Sequence, residues 1–404
     1  MSGAAGRAGE RRTWVDRVVS LRAVRWSDLD WHVVALSALL LGVGLVLVAT
    51  MSAADEAYGR ADVRWGDHLK KLLVAAPAFV LGLAARPRWL RRNALAVWVL
   101  VVALLLAVFV VGDARNGARR WIDLGPFDLQ PSELAKVAVI LGLAAALDHL
   151  RLRSLREWGA PLALALVPMA LVVLQPDLGT ALTLVPITLG LLYVAGASGR
   201  LILAFVGGAL ALGLFAWQFE IGIRDYQLQR LDTWTRGWSA EDLIAERNGA
   251  AFHAYHARVA IGNGGLGGEG LGRGVSNEVA WLPERDCDSI FAVVAEELGW
   301  IGVCGILALY GLLVLSLFQS ASGLRDRFSR LVVTGVAILF AAHLVVHCGV
   351  NLGLLPLTGL TLPLFSTGGS SLLATFLALG LALGLASHRQ PSLDAETFRR
   401  GAAG

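Results

Sequence analysis

Apolar residues run along this chain in long blocks broken by short polar stretches. They show neither the two-residue alternation of strands nor the one-sided stripe of surface helices. Ten blocks approach or exceed spanning length: about 31–51, 70–86, 94–112, 132–148, 159–175, 178–197, 200–218, 288–318, 331–352 and 370–387. Each suffices, as a helix, to cross roughly 30 Å of hydrocarbon. The predicted fold class is therefore an all-α polytopic membrane protein of about ten transmembrane helices, with a long extracytoplasmic loop at 219–287 between the seventh and eighth. The expected organisation is a cytoplasmic tail at 1–29, a transmembrane domain at 30–388 and a second cytoplasmic tail at 389–404.

Charge sets the orientation. Arg7, Arg11, Arg12, Arg17, Arg22 and Arg25 precede the first block, and Arg86, Arg88, Arg91 and Arg92 separate the second from the third. Arg151, Arg153 and Arg156 follow the fourth, Arg200 the sixth, and Arg325, Arg327 and Arg330 the eighth. With ten alternating spans all of these fall on one side, so the positive-inside rule puts both termini in the cytoplasm. Composition agrees, at 56% hydrophobic against 16% charged. The net charge of +4 is divided among these rims. A phosphate-backbone surface would be contiguous, so nucleic acid is excluded as a partner. Cys287, Cys304 and Cys348 lack metal-ligand spacing and are expected to be free, buried thiols.

Candidate chemistry concentrates where polar residues enter apolar blocks. Asp288 opens the eighth block, with Asp286 and Glu284 two and four residues upstream. An ionised group at bilayer depth is costly, so its default reading is functional. Like charges nearby raise a carboxyl pKa and suit a general base. Glu296 and Glu297 lie deeper and are read as structural partners for arginines. Glu133 and Lys136 share a helical face, either as a self-contained ion pair or with Lys136 contacting phosphate. Gln130-Pro131-Ser132, Gln175-Pro176-Asp177 and Ser366–Ser371 each read as a helix start, Asp177 being a capping residue. The glycine-dense run 262–274 is either a backbone anion cradle or a tight re-entrant turn. His253 and His256 share a face without a third metal ligand, as do His343 and His347 four apart in the ninth block.

An ordered set of motifs then resembles the SEDS (shape, elongation, division and sporulation) family of membrane glycosyltransferases, nearest its RodA branch and next FtsW. They are Asn116-Gly-Ala-Arg-Arg120-Trp-Ile with Leu124-Gly-Pro126, Gln130-Pro-Ser-Glu-Leu-Ala-Lys136, Gln175-Pro-Asp177-Leu-Gly-Thr and Tyr226-Gln-Leu-Gln-Arg230. Ala260-Ile-Gly-Asn-Gly-Gly265, Leu282-Pro-Glu-Arg followed by Asp288, and Leu362-Pro-Leu-Phe-Ser366-Thr-Gly-Gly-Ser-Ser371 complete the order.

The resemblance implies an enzyme of the bacterial cytoplasmic membrane that polymerises lipid II into glycan strands during elongation. A division polymerase, a lipid II flippase and a non-catalytic scaffold are the alternatives. It implies Asp288 as the catalytic base, with Lys136, Glu133, Arg120 and Arg230 lining an outward cavity. Ser366 and Ser370 complete the expected substrate-binding set. The implied partners are lipid II, the growing lipid-linked strand, a class B penicillin-binding transpeptidase and other elongation or division proteins of the membrane. No cofactor is expected apart from a divalent cation, Mg or Mn, whose need the sequence leaves open. Against the family pattern His-Thr-Asp-Phe this chain has Asp286-Cys287-Asp288-Ser289. His347 stands for the usual Asn, Thr367 for a Tyr, and a lysine near Lys70 for the arginine entering the second span.

Overall fold

The computed structural model describes residues 21, 24–60, 62–115, 118–125, 127–152, 154–218, 225–249 and 251–387. Most of both expected tails, and the first six residues of the long loop, lie outside them.

Ten apolar helices coincide with the ten predicted blocks. They are α1 (Trp31–Ala57), α2 (Trp65–Ala84), α3 (Pro87–Val111), α4 (Pro131–Leu147), α5 (Gly159–Leu174), α6 (Leu178–Val194) and α7 (Gly199–Gln218). After the long loop come α12 (Ile290–Ser322), α13 (Arg327–Asn351) and α14 (Gly369–Ser387). Among the described residues six helices, α1, α3, α5, α12, α13 and α14, are long and apolar enough to cross a membrane. α2 carries Asp67, Lys70 and Lys71 in its first two turns, and α4 and α6 are only 17 residues long.

Burial separates an inner layer from an outer one. α4 is buried on nearly every face, from Pro131 to Leu147, as are most of α13 and α14. A helix apolar all round belongs inside a bundle or against lipid. Here the inner three pack against protein, whereas α1, α3, α5 and α12 leave most of their surface outward. α2 lies along α14, α12 along α13, and α3 along α4. The α2–α14 approach depends on Gly82 and Gly380, where an added methyl would run into the backbone of the facing helix at Leu377 and Phe79. Small residues permit such close approach where both helices are apolar.

Two of the connecting segments are themselves folded. Between α3 and α4 a three-stranded antiparallel sheet forms from β1 (Asp113–Arg115), β2 (Ala118–Asp123) and β3 (Asp128–Leu129). Asp113 pairs with Trp121, and Ile122 with Leu129. The all-α expectation missed it because strands this short leave no periodicity. The long loop folds into α8 (Asp225–Arg236), α9 (Ala240–Ala245), α10 (Phe252–Asn263) and α11 (Val275–Val279).

The glycine run resolves as structure. α12 breaks at Gly299, whose φ of +64° and ψ of −168° suit glycine alone. The run 264–270 bridges the break. Glu269 and Gly270 amides donate to the carbonyls of Glu296 and Glu297, and Trp300 and Ile301 amides donate to those of Gly265 and Leu266. These bonds satisfy backbone groups that the break leaves without helical partners. Among the described residues Glu296 and Glu297 meet no arginine, contrary to expectation. Glu296 accepts from Ser276 and Asn263, and Glu297 from Asn277. The arginine nearby, Arg285, is buried and pairs with Asp55 of α1. Nor are the thiols buried as expected: all three are free, but Cys304 is exposed on α12 and Cys287 and Cys348 are half-buried.

Candidate active site

A cavity of about 490 Å³ opens among the N-terminal ends of α2, α4 and α14 and the small sheet. Its lining includes Lys71, Arg120, Glu133, Asp177, Gly359, Thr361 and Ser370. Each comes from a helix start or a loop held by its own sequence. Pro131 begins α4 at a position where a missing N–H costs nothing. Asp177 caps α6 by accepting from the Thr180 amide at 3.2 Å. Asp177 also accepts from Ser132 Oγ at 2.8 Å and Gln130 Nε2 at 3.0 Å, which ties the start of α4 to the start of α6.

The expected site residues do not all reach this cavity in the same way. Arg120, on β2, lines it, and its guanidinium donates to the carbonyls of Gln175 (2.9 Å) and Pro176. Glu133 forms part of its wall. Lys136 lies behind Glu133, 2% exposed, with its ammonium 2.8 Å from both carboxylate oxygens. The same ammonium is 2.9 Å from His343 Nε2, while His343 Nδ1 is 3.1 Å from the Thr361 carbonyl. A carbonyl only accepts, so Nδ1 carries the proton and Nε2 accepts from Lys136. The ammonium is thus spent inside the protein, which favours the self-contained ion pair.

Both serines are engaged as well. Ser366 Oγ donates to the Cys287 carbonyl (2.8 Å) and accepts from the Leu362 amide (2.8 Å). Ser370 Oγ, on the cavity wall, accepts from the Gln130 amide (2.8 Å) and donates to the Asp128 carbonyl (2.6 Å). Arg230, on α8, donates to the Leu357 carbonyl at 3.1 Å and lies outside the cavity lining.

Asp288 occupies the turn that precedes α12. It is half-buried, and its carboxylate accepts no hydrogen bond from any described residue. The turn borders the cavity through Gly359: a methyl added there would stand 3.2 Å from Asp288 Oδ2. Burial, then the like charges of Glu284, Asp286 and Asp177, push its pKa up to about 7 against the opposing pull of Arg230. Glu284 is raised for the same reasons, burial first and Asp286 next. Burial pushes the Cys287 thiol up too.

Sequence reasoning missed Lys71. It is half-buried on the cavity wall, and no described residue forms a hydrogen bond or ion pair with it. The signal was present in the lysine that replaces an arginine at the start of the second span. The departures Asp286, Cys287 and Thr367 turn out to be mutual neighbours: Thr367 Oγ1 donates to Asp286 Oδ2 and lies 3.2 Å from Cys287 Sγ. His347 instead places Nδ1 2.7 Å from the Leu360 carbonyl. On α10, His253 Nε2 is 3.2 Å from Ser289 Oγ, and His256 stacks against Trp281.

Comparison with known proteins gives a consistent picture. Residues 30–391 match the family profile FTSW_RODA_SPOVE, described as cell cycle protein. The peptidoglycan glycosyltransferase MrdB of Escherichia coli K12 is 36% identical over 72% of this chain and 77% of its own length. The probable peptidoglycan glycosyltransferase FtsW of Alkalilimnicola ehrlichii is 38% identical over 89% of both chains. A solved chain from a peptidoglycan synthase complex that coordinates polymerization and crosslinking superposes with a TM-score of 0.74. It is 32% identical and covers 89% of this chain and 98% of its own. The Thermus thermophilus rod shape determining protein RodA gives a TM-score of 0.67 at 32% identity, over 91% and 99%.

Proposed function

This chain belongs to the FtsW/RodA/SpoVE family and is a multi-pass membrane peptidoglycan glycosyltransferase, and we propose that Asp288 is its general base. The proposed substrate is lipid II, taken at the outer face of the bacterial cytoplasmic membrane, with both termini in the cytoplasm. In the transfer, an acceptor sugar hydroxyl forms a bond to the donor's anomeric carbon as the bond to the lipid diphosphate breaks. The hydroxyl proton passes to Asp288, and the diphosphate leaves with the bonding electrons. A carboxylate with a pKa near 7 is suited to take that proton at neutral pH. Arg120 and Lys71, on the cavity wall, stabilise the charge developing on the diphosphate. Lys136, already neutralised, supports Glu133 instead. What carries this reading is an acid at the margin of one cavity and a cation on its wall, neither of them bonded to any described residue.

A class B penicillin-binding transpeptidase is the proposed partner, supported by the similar chain's place in a peptidoglycan synthase complex. Relatives of both the MrdB and FtsW kinds match at 36% identity, so the comparison supports elongation and division equally. A divalent cation fits less well. Glu284, Asp286 and Cys287 bring one ligand atom each within 4.8 Å of one another. Mg and Mn favour oxygen ligands, whereas here one of the three atoms is a thiol that burial keeps protonated.

The test is polymerisation of labelled lipid II by the purified chain with its cognate transpeptidase. Asp288→Asn should cut the rate by at least ~10²-fold, the low end for loss of a general base. Near-normal polymerisation by that variant would remove Asp288 from the role.

A further inference from the structure

We propose that Asn351, Ser366 and Thr367 are positioning residues for Asp288, holding three consecutive backbone carbonyls around it. This rests on reading Asp288 as the base. The turn that carries Asp288 lies outside any helix, so its carbonyls have no regular helical partners. Each finds one elsewhere. The Asp286 carbonyl accepts from the Thr367 amide at 3.0 Å. The Cys287 carbonyl accepts from Ser366 Oγ at 2.8 Å. The Asp288 carbonyl accepts from Asn351 Nδ2 at 3.0 Å.

These donors come from two separate places, the last residue of α13 and the segment just before α14. Each is braced in turn. Asn351 Nδ2 also donates to the His347 carbonyl at 2.9 Å, Ser366 Oγ accepts from the Leu362 amide, and Thr367 Oγ1 donates to the Asp286 carboxylate. All three side chains are at most 3% exposed, so none presents a polar atom to a substrate. Ser366 therefore acts on the transfer only through the position of Asp288. Gly359 lies against the carboxylate, where an added methyl would stand 3.2 Å from Oδ2. The base is held between a clamped backbone and a glycine, and misplacement by about 1 Å costs roughly 10²-fold in rate.

The experiment compares Ser366→Ala and Asn351→Asp in the full-length chain with its transpeptidase, alongside Asp288→Asn. Asn351→Asp keeps the side-chain shape and removes the donor. Both clamp variants should lower kcat by about 10- to 100-fold while KM for lipid II stays within about twofold. A raised KM at unchanged kcat would mark Ser366 as a substrate ligand and overturn the proposal, as would wild-type kcat in both variants. On the unmodified protein, the peptide spanning 362–368 should show slow deuterium exchange at the Thr367 amide. Fast exchange there overturns the clamp whether or not the variants fold. Activity retained by Asp288→Asn overturns the base and the clamp together. Loss in Asp288→Asn with wild-type kcat in the other two overturns the clamp alone.

Discussion

Two clusters of charge sit near the same end of α4 and end up with opposite fates. Around Lys136 every strong group is paired: the ammonium meets both Glu133 oxygens and His343, and His343 meets the Thr361 carbonyl. At the cavity, the Lys71 ammonium on its wall and the Asp288 carboxylate beside Gly359 at its margin have no hydrogen-bond partner among the described residues. Burial of a charge is tolerated when it is paired and hydrogen-bonded, and is costly otherwise. The first cluster therefore explains itself as structure, joining α4 to α13 and to the loop that ends at α14. The second does not, and the missing partners are what a sugar diphosphate and its acceptor would supply. Type of residue does not separate the two clusters. Completion of their bonding does.

The largest effect should come from breaking the complete cluster. Lys136→Met leaves the Glu133 carboxylate buried without its cation, and removing one member of a buried pair costs about 3–5 kcal/mol. Denaturant or thermal unfolding in detergent should show that loss, and Glu133→Gln combined with Lys136→Met should recover most of it. If the single variant keeps its stability but loses polymerisation, the pairing is not what Lys136 is for. Lys136 would then rejoin the substrate ligands.

A smaller effect, of the opposite kind, is expected at the open cluster. Lys71→Met should lower kcat/KM by about 10- to 100-fold, the equivalent of one charge-assisted contact of roughly 1.5–3 kcal/mol, with no change in unfolding midpoint. Unaltered kcat/KM, or a fall matched by lost stability, would erase the contrast between the clusters.

Much of the frame was legible in the sequence because spanning helices announce themselves locally. All ten blocks are helices within a few residues, and Asp177 caps α6 as its place before the sixth block implied. The site was legible only in part. Asp288 and Arg120 could be marked from their motifs, but the partners that decide each residue's role lie far away in the chain. Lys136 meets His343 across 207 positions, and Ser366 turns to Cys287 across 79. No periodicity encodes those encounters. They follow from how α4, α13 and the segment before α14 pack. Lys71 was overlooked because, beside Lys70 on a helix start, it looks like one more interfacial cation.

The finest distinction concerns how the open cluster tunes its acid. Asp288 must be deprotonated to accept a proton, so its rate should climb with pH and show an acid limb near 7, well above the ordinary value of 3.8. Burial is the first cause, and Glu284, Asp286 and Asp177 add to it while Arg230 opposes. Glu284→Gln removes one of those like charges. The Asp288 pKa then falls, the limb moves to lower pH, and the rate at pH 6 rises relative to that at pH 8. Because Glu284 is exposed and water screens its charge, the move should be under about one pH unit, or less than ~1.4 kcal/mol. The same substitution in a Lys136→Met, Glu133→Gln background should move the limb equally, since the closed cluster has no charge left to contribute. A limb near 4 in the unaltered enzyme, or one indifferent to Glu284, would mean that the acid is not held apart from solvent and that the two clusters differ less than their bonding implies.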